Sequence, residues 1–137
     1  MTPTQKTLVQ QSFKQVVPIA DTAATIFYER LFVTTPALRP LFKGDLTEQK
    51  KKLVQMLAYC VAKLDAPDEL LPAVRALGKR HVGYGVTDEH YQLVGAALLW
   101  TLEKGLGAAF TTDVNAAWTA VYQVLSTTMM EGARTAA

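Results

Sequence analysis

Cysteine and histidine are scarce in this chain: its 137 residues include one cysteine and two histidines. Because Cys60 is alone, an intramolecular disulfide and a zinc knuckle are excluded, and no oxidising compartment is implied. Charged residues make up only 19% of the chain, while 50% of it is hydrophobic. That balance excludes a disordered chain and is typical of a compact fold.

A strong excess of charge of either sign is also absent. Fourteen basic and twelve acidic side chains give a formal net charge of +2, whereas a nucleic-acid partner requires a clustered basic face. The one basic run, residues 50–52, lies at helical spacing and is interpreted as a solvated face. No apolar run approaches the length of about eighteen residues that spans a membrane, and the N-terminus lacks the apolar segment of a signal peptide. We therefore expect a cytoplasmic protein with no membrane span.

Motifs for common hydrolytic and metal chemistries are missing as well. The sequence has no Gly-x-Ser-x-Gly, no glycine-rich phosphate loop, no His-Glu-x-x-His and no paired cysteines. His81 and His90 are separated by Gly83 and Gly85, so their imidazoles cannot share one helical face. The acidic residues cluster at predicted helix starts, where the helix dipole explains them. Hydrolase activity therefore has almost no support.

Apolar residues recur at spacings of three and four through nearly the whole chain, and β-branched alternation is absent. This pattern predicts an all-α protein with about seven helical segments in a single domain spanning residues 1–137. We expect Asp21, Thr87 and residues 111–113 to cap helices, and Pro36 to start a short helical turn. The predicted helices cover residues of about 4–17, 21–33, 47–64, 66–82, 88–104 and 112–131.

His81 is the first candidate for chemistry, because it ends an apolar stripe that also contains Leu70, Val74 and Leu77. A histidine on such a face is often a core residue that is hydrogen-bonded to a neighbour. Two observations favour a ligand role here. The glycines that follow the helix leave room for a flat ligand, and a second helix directs a polar side chain toward the same interior.

That polar side chain belongs to Gln49, which begins a stripe continued by Leu53, Met56, Leu57, Cys60 and Leu64. Alone, a glutamine at the start of a core face is usually partly exposed. Tyr28 lies on a third apolar stripe, with a hydroxyl that needs a partner when buried. Either residue could be an ordinary core side chain, but the three together indicate a polar pocket opposite an imidazole.

These residues lie in segments that resemble the globins over essentially the whole chain. The likeness is strongest to bacterial single-domain globins and to the haem domains of flavohaemoglobins, with a further likeness to neuroglobin. The resemblance implies a globin fold around haem b. The matching segments are residues 77–86, 89–95, 110–122, 27–28 and 40–42.

The resemblance also implies roles for the residues on the two sides of the iron. His81 corresponds to the proximal ligand, whose neutral imidazole binds the fifth coordination position. Tyr28 and Gln49 correspond to the distal pair that faces the bound gas. Leu53, one turn after Gln49, is the apolar side chain that crowds the ligand. We expect a five-coordinate ferrous haem, because there is no distal histidine and His90 lies beyond the proximal side.

Further correspondences concern the porphyrin itself. Phe42 corresponds to the phenylalanine that packs against the porphyrin face, and Val86 is expected at its edge. Lys52 or Arg80 could pair with the haem propionates, an assignment made from position in the sequence only.

One departure concerns the residues behind the proximal histidine. In flavohaemoglobins a tyrosine and a glutamate back this histidine and strengthen its electron donation. Tyr91 stands in the tyrosine position, but the glutamate position is Ala133, and Glu131 lies two residues earlier. The sequence ends at Ala137, so we expect no attached flavin or nicotinamide reductase domain.

The function implied is reversible, high-affinity binding of dioxygen for transport or storage, with nitric oxide and carbon monoxide as further small ligands. The alternative is nitric oxide detoxification as a nitric oxide dioxygenase, supplied with electrons by a separate reductase. Tyr28 and Gln49 would serve either function, because both require donors to oxygen that carries superoxide-like charge. A gas sensor or a haem-free helical module is a third reading with less support.

Overall fold

A computed structural model describes residues 1–42, 45–83 and 85–134. Within these ranges the chain forms α-helices and three short 3-10 helices, with no strand, so the predicted all-α class is confirmed. The 3-10 helices are Val17–Ile19, Pro36–Leu41 and Gly107–Ala109. The described residues form six α-helices, one fewer than the expected number of about seven helical segments. They are α1 (Pro3–Val16), α2 (Ala20–Thr34), α3 (Leu46–Ala62), α4 (Pro67–Gly83), α5 (Asp88–Leu106) and α6 (Thr112–Arg134).

The start of α2 differs from the prediction. Asp21 is not its N-cap: the helix begins at Ala20, and Ile19 stands at the cap position without a side-chain hydrogen bond. The reason is that the 3-10 turn Val17–Ile19 runs directly into α2, so the chain turns helically before Asp21 is reached. Asp21 lies instead in the first turn, where a carboxylate favours the helix dipole.

The other predicted helix starts are confirmed. Thr87 forms a capping box with His90, whose Nδ1 accepts a hydrogen bond of 3.0 Å from the Thr87 backbone N–H. Thr111 Oγ1 accepts from the Val114 backbone N–H at 3.2 Å. Pro36 begins the expected short turn. Tyr84, within one of the segments that resemble the globins, and Ala137 at the chain end lie outside the described residues.

The core is built from residues of all six α-helices. Helix α6 packs against α1, α4 and α5, while α2 packs against α3 and α5. Leu31, Leu64 and Leu70 have no exposed surface at all, and burying each such side chain contributes about 1.5–3 kcal/mol to folding. Because Leu70 lies on the stripe that ends at His81, this burial helps to fix the helix that carries the histidine.

Among the described residues, no helix combines the length and the apolar character required to cross a membrane.

Candidate functional site

His81 lies in the last turn of α4, half-buried, with its imidazole tied to the helix backbone. Its Nδ1 lies 2.8 Å from the carbonyl oxygen of Leu77, one turn earlier. With Nδ1–H as the donor, Nε2 is the basic nitrogen of the ring. Burial lowers the pKa of His81 and Arg80 lowers it further, while the bond to Leu77 opposes this shift. The geometry therefore favours the neutral imidazole, which is the form that ligates a metal.

The backbone turns sharply after His81. The Gly85 amide bonds to the carbonyl of Val82 at 3.1 Å, and the Val86 amide bonds to the carbonyl of His81 at 3.2 Å. Gly85 adopts a φ of 83°, a conformation that glycine takes without strain. The turn places Val86, half-buried, directly beyond the histidine. A Cβ at Gly85 would lie 3.4 Å from Leu41 Cδ2, so this turn meets the end of the Pro36–Leu41 helix.

Helices α3, α4, α5 and α6 enclose an apolar cavity of about 60 Å³. Val74 and Leu77 line it from α4, and Met56 and Leu57 line it from α3. Leu77 is also the residue whose carbonyl bonds to the His81 imidazole, so the side chain of one residue in the histidine-bearing turns reaches this cavity. The stripe on α3 that begins at Gln49 therefore faces the helix that carries the histidine.

Tyr28 is the centre of an aromatic cluster on the distal side. The tyrosine is 3% exposed, and its ring lies 4.9 Å from the Phe27 ring and 5.9 Å from that of Phe32, measured between centroids. Phe42 meets Tyr28 edge to face with ring centroids 5.5 Å apart, an arrangement that aromatic pairs prefer. These contacts fix the direction of the Tyr28 hydroxyl.

The Gln49 side chain approaches the Tyr28 hydroxyl closely enough to affect the pKa of the phenol. Burial raises the pKa of Tyr28, and the hydrogen-bonding influence of Gln49 opposes that shift. The phenol is therefore protonated at neutral pH and can donate a hydrogen bond. The structure thus brings together the two polar side chains that the sequence singles out, although one comes from α2 and the other from α3. Their roles toward a gas remain predictions.

A second apolar cavity, of about 30 Å³, is lined by residues of α1, α2, α3, α5 and α6. Leu53, the predicted crowding side chain one turn after Gln49, lines it together with Phe27 and Leu98. Trp118 borders both cavities. The interior next to Phe27 and Leu53 is therefore apolar and contains a small space.

The donor set of this site fits haem and does not fit a bare metal ion. Among the described residues, no group of three or more His, Cys, Asp or Glu side chains could hold an ion. Haem requires only one protein ligand because the porphyrin supplies four, and it requires apolar walls. His81 and the facing apolar residues of α3 and α4 meet both requirements.

Comparison with known families agrees with this geometry. The family profile described as Globin matches residues 25–129.

The chain belongs to the globin family.

The curated relatives of this globin include flavohemoproteins. It is 33% identical over 122 residues to the flavohemoprotein of Bacillus subtilis (strain 168), a match that covers 82% of this chain and 30% of that protein. It is 31% identical over 129 residues to the flavohemoprotein of Bordetella parapertussis, covering 92% of this chain and 32% of that one. The globin thus spans about a third of the length of these relatives.

Among solved structures, the chain is similar to a protein described as a hexacoordinated heme protein from an anhydrobiotic tardigrade. The TM-score is 0.88 at 20% sequence identity, over 98% of this chain and 96% of that one. This match confirms the globin fold.

The predicted propionate partners lie on the two helices that border the site. Lys52 is exposed on α3, and Arg80 is exposed on α4 directly before His81. Both side chains are therefore at the surface, where a propionate that leaves the pocket would meet solvent. Their pairing with propionates remains a prediction.

Behind the proximal side, the globin contains a contact that sequence reasoning missed. Tyr122 Oη donates to the backbone carbonyl of Tyr91 at 2.5 Å, which joins α6 to α5. Burial raises the pKa of both phenols. Gly95, one turn after Tyr91, leaves room for the Tyr122 ring, because a Cβ there would lie only 2.6 Å from Tyr122 Cε2. Tyr91 itself is 7% exposed.

The carboxylate nearest to the missing glutamate position has a different partner. Glu131 forms an ion pair of 3.6 Å with Arg75 of α4, and both side chains are about half exposed. Ala133, at the glutamate position, has no carboxylate. Glu131 therefore lies at the surface between α4 and α6.

Proposed function

We propose that this globin holds haem b between α3 and α4 with His81 as the proximal ligand, and binds dioxygen reversibly with high affinity. The observation that carries the proposal is the approach of Gln49 to the hydroxyl of buried Tyr28, together with the packing of the Tyr28 ring against Phe42. When bound, haem supplies a ferrous iron that takes up diatomic gases, including carbon monoxide and nitric oxide. Selection among these gases then depends on the protein side chains.

Tyr28 and Gln49 would act as hydrogen-bond donors toward the gas. A neutral hydrogen bond contributes about 0.5–1.5 kcal/mol, and a bond to a charged acceptor contributes more. Two donors would therefore slow the release of dioxygen by roughly one to two orders of magnitude. The aromatic cluster supports this role, because it holds the Tyr28 ring in one orientation and excludes water.

The other protein groups would hold the cofactor. The bond from His81 Nδ1–H to Leu77 leaves Nε2 as the nitrogen that would bind the iron, and it increases the basicity of the ring. Phe42 and Val86 would contact the porphyrin, and Leu53 would limit the space above it. Lys52 and Arg80 would meet the propionates.

The test is the rate of dioxygen dissociation from the ferrous protein, measured by stopped flow. We expect Tyr28→Phe to raise this rate by about tenfold, because one donor to the gas is lost. Tyr122→Phe is the matched control: it removes the same hydroxyl from another largely buried tyrosine, whose partner is the Tyr91 carbonyl. An unchanged dissociation rate in Tyr28→Phe, or an equal change in both variants, would contradict the proposal.

The second candidate function is nitric oxide dioxygenation with a separate reductase. The flavohemoprotein relatives favour it, and the same distal pair would serve it. Ala133 and the surface ion pair of Glu131 favour simple binding instead, because the histidine then lacks the carboxylate that strengthens its electron donation. Nitric oxide consumption with an added reductase and NADH separates the two: many turnovers per haem indicate dioxygenation, and a single turnover indicates a binding protein.

A further inference from the structure

Helices α4 and α6 touch backbone to backbone at two glycines. A Cβ built at Gly78 would lie 2.0 Å from the carbonyl oxygen of Met129, and a Cβ at Gly132 would lie 2.0 Å from the carbonyl oxygen of Arg75. Ordinary contact begins at 3.4 Å. Each helix therefore contributes one glycine that admits the backbone of the other, and any larger residue would push the helices apart.

This crossing lies beside the proximal histidine. Gly78 is three residues before His81 and adjacent to Leu77, whose carbonyl bonds to the imidazole. On the preceding turns Leu70 and Val74 are fully or nearly fully buried. The last turns of α4 therefore have no freedom to move toward α6, and a shift away from α6 would carry His81 with it.

The ion pair beside the crossing cannot provide the same restraint. Arg75 and Glu131 are about half exposed at a separation of 3.6 Å. Solvent screens such a pair, so it contributes little to the position of the helix. The glycine contact is rigid by comparison, because both partners are backbone atoms.

We infer that Gly78 and Gly132 are positioning residues for the haem ligand: they dock α4 on α6 and thereby fix the position of the His81 imidazole. The inference rests on the proposed ligation by His81. A methyl group at either glycine would displace α4 by about 1 Å, since packed interiors do not absorb such an overlap. A displacement of this size would lengthen or tilt the bond between the iron and the imidazole.

The first experiment compares Gly78→Ala and Gly132→Ala with native protein, all loaded with haem and reduced. We expect the iron–histidine stretching band in the resonance Raman spectrum to shift or broaden in both variants, and haem loss to accelerate by about tenfold. Val9→Ala is the control, because Val9 is fully buried on α1 and its truncation destabilises the core without touching the crossing. Folded glycine variants that keep the native band would overturn the inference.

A second experiment distinguishes a displacement of α4 from a general loosening of the protein around the haem. In a His81→Gly background supplied with free imidazole, the iron ligand is no longer attached to α4. Adding Gly78→Ala to that background should then leave the iron–imidazole band unchanged. An equal shift with and without the covalent tether would overturn the inference.

A third measurement needs no variant. Hydrogen exchange of the native protein loaded with haem should show the amides around Gly78 in α4 protected to a similar degree as those around Gly132 in α6. Rapid exchange in α4 with protection retained in α6 would overturn the inference, even if both glycine variants fail to fold. An absent iron–histidine band in the native holo-protein would instead refute ligation by His81, so the two failures are distinguishable.

Discussion

The indole N–H of Trp118 donates a hydrogen bond of 2.8 Å to the hydroxyl of Ser12, which joins α6 to α1 inside the core. Trp118 is 2% exposed and Ser12 is 5% exposed. The serine hydroxyl also donates to the carbonyl of Leu8 at 2.7 Å, so every polar atom of this contact is satisfied. Since Trp118 borders both internal cavities, this one bond fixes the wall between them.

Ser12→Ala should therefore lower the free energy of unfolding by about 1–3 kcal/mol, because it leaves a buried indole N–H without an acceptor. Urea unfolding followed by tryptophan fluorescence measures the change. Ser126→Ala is the control: Ser126 is also buried, but its hydroxyl bonds only to the Gln123 carbonyl within its own helix. Equal losses in the two variants would contradict the special role of the Trp118 contact.

Gly95→Ala should destabilise the protein by about 1–3 kcal/mol through overpacking. The new methyl group would lie 2.6 Å from the Tyr122 ring and would disturb the bond from Tyr122 to the Tyr91 carbonyl. Gly105→Ala in the same helix is the comparison, because its Cβ would meet only the flexible tip of Ile19 at 3.2 Å. For Gly105→Ala we expect little change in the midpoint temperature of unfolding, since the gain in helix propensity offsets the close contact with Ile19. A Gly95→Ala variant as stable as Gly105→Ala would refute the prediction.

Cys60 should react slowly with iodoacetamide in the folded protein. Burial raises the pKa of its thiol to about 11, so the reactive thiolate is scarce below that pH. Between pH 8 and 9, where an exposed cysteine with a pKa of about 8.5 becomes largely ionised, the folded protein should remain nearly unreactive. Mass spectrometry follows the modification, and protein unfolded in urea supplies the positive control. Rapid labelling of folded protein at pH 8 would be inconsistent with this burial.

The ferrous haem should be five-coordinate, although the tardigrade protein of similar fold is described as hexacoordinated. The second imidazole of the chain, that of His90, is engaged elsewhere: its Nδ1 accepts a hydrogen bond from the Thr87 backbone N–H and caps α5. The visible spectrum of the reduced, gas-free protein decides this point. A low-spin six-coordinate spectrum would show that another side chain reaches the iron.

The sequence predicts which side chains lie inward where the hydrophobic pattern is periodic. The stripe that ends at His81 and the stripe that begins at Gln49 both lie inward because a helix repeats every three to four residues. Asp21 shows where capping preferences fail. Aspartate favours the N-cap position, but the preceding 3-10 turn starts α2 one residue earlier, so Asp21 lies inside the helix. Helix boundaries shift by one or two residues for the same reason.

The contacts between distant segments could not be predicted. Gly78 and Gly132 look like weak points within helices, because glycine lowers helix propensity. Only the folded structure shows that each one admits a carbonyl of the other helix. The bond between Tyr122 and Tyr91 is equally hidden, because no sequence pattern relates the two positions.

The approach of Gln49 to Tyr28 also bears on discrimination between gases. Because Gln49 lowers the pKa of the phenol, its amide acts as the donor, and the Tyr28 O–H is left available for a further acceptor. Dioxygen on a ferrous haem would accept such a bond strongly, because it would carry superoxide-like charge, whereas carbon monoxide accepts poorly. The pair would therefore select against the weaker acceptor through hydrogen bonding alone.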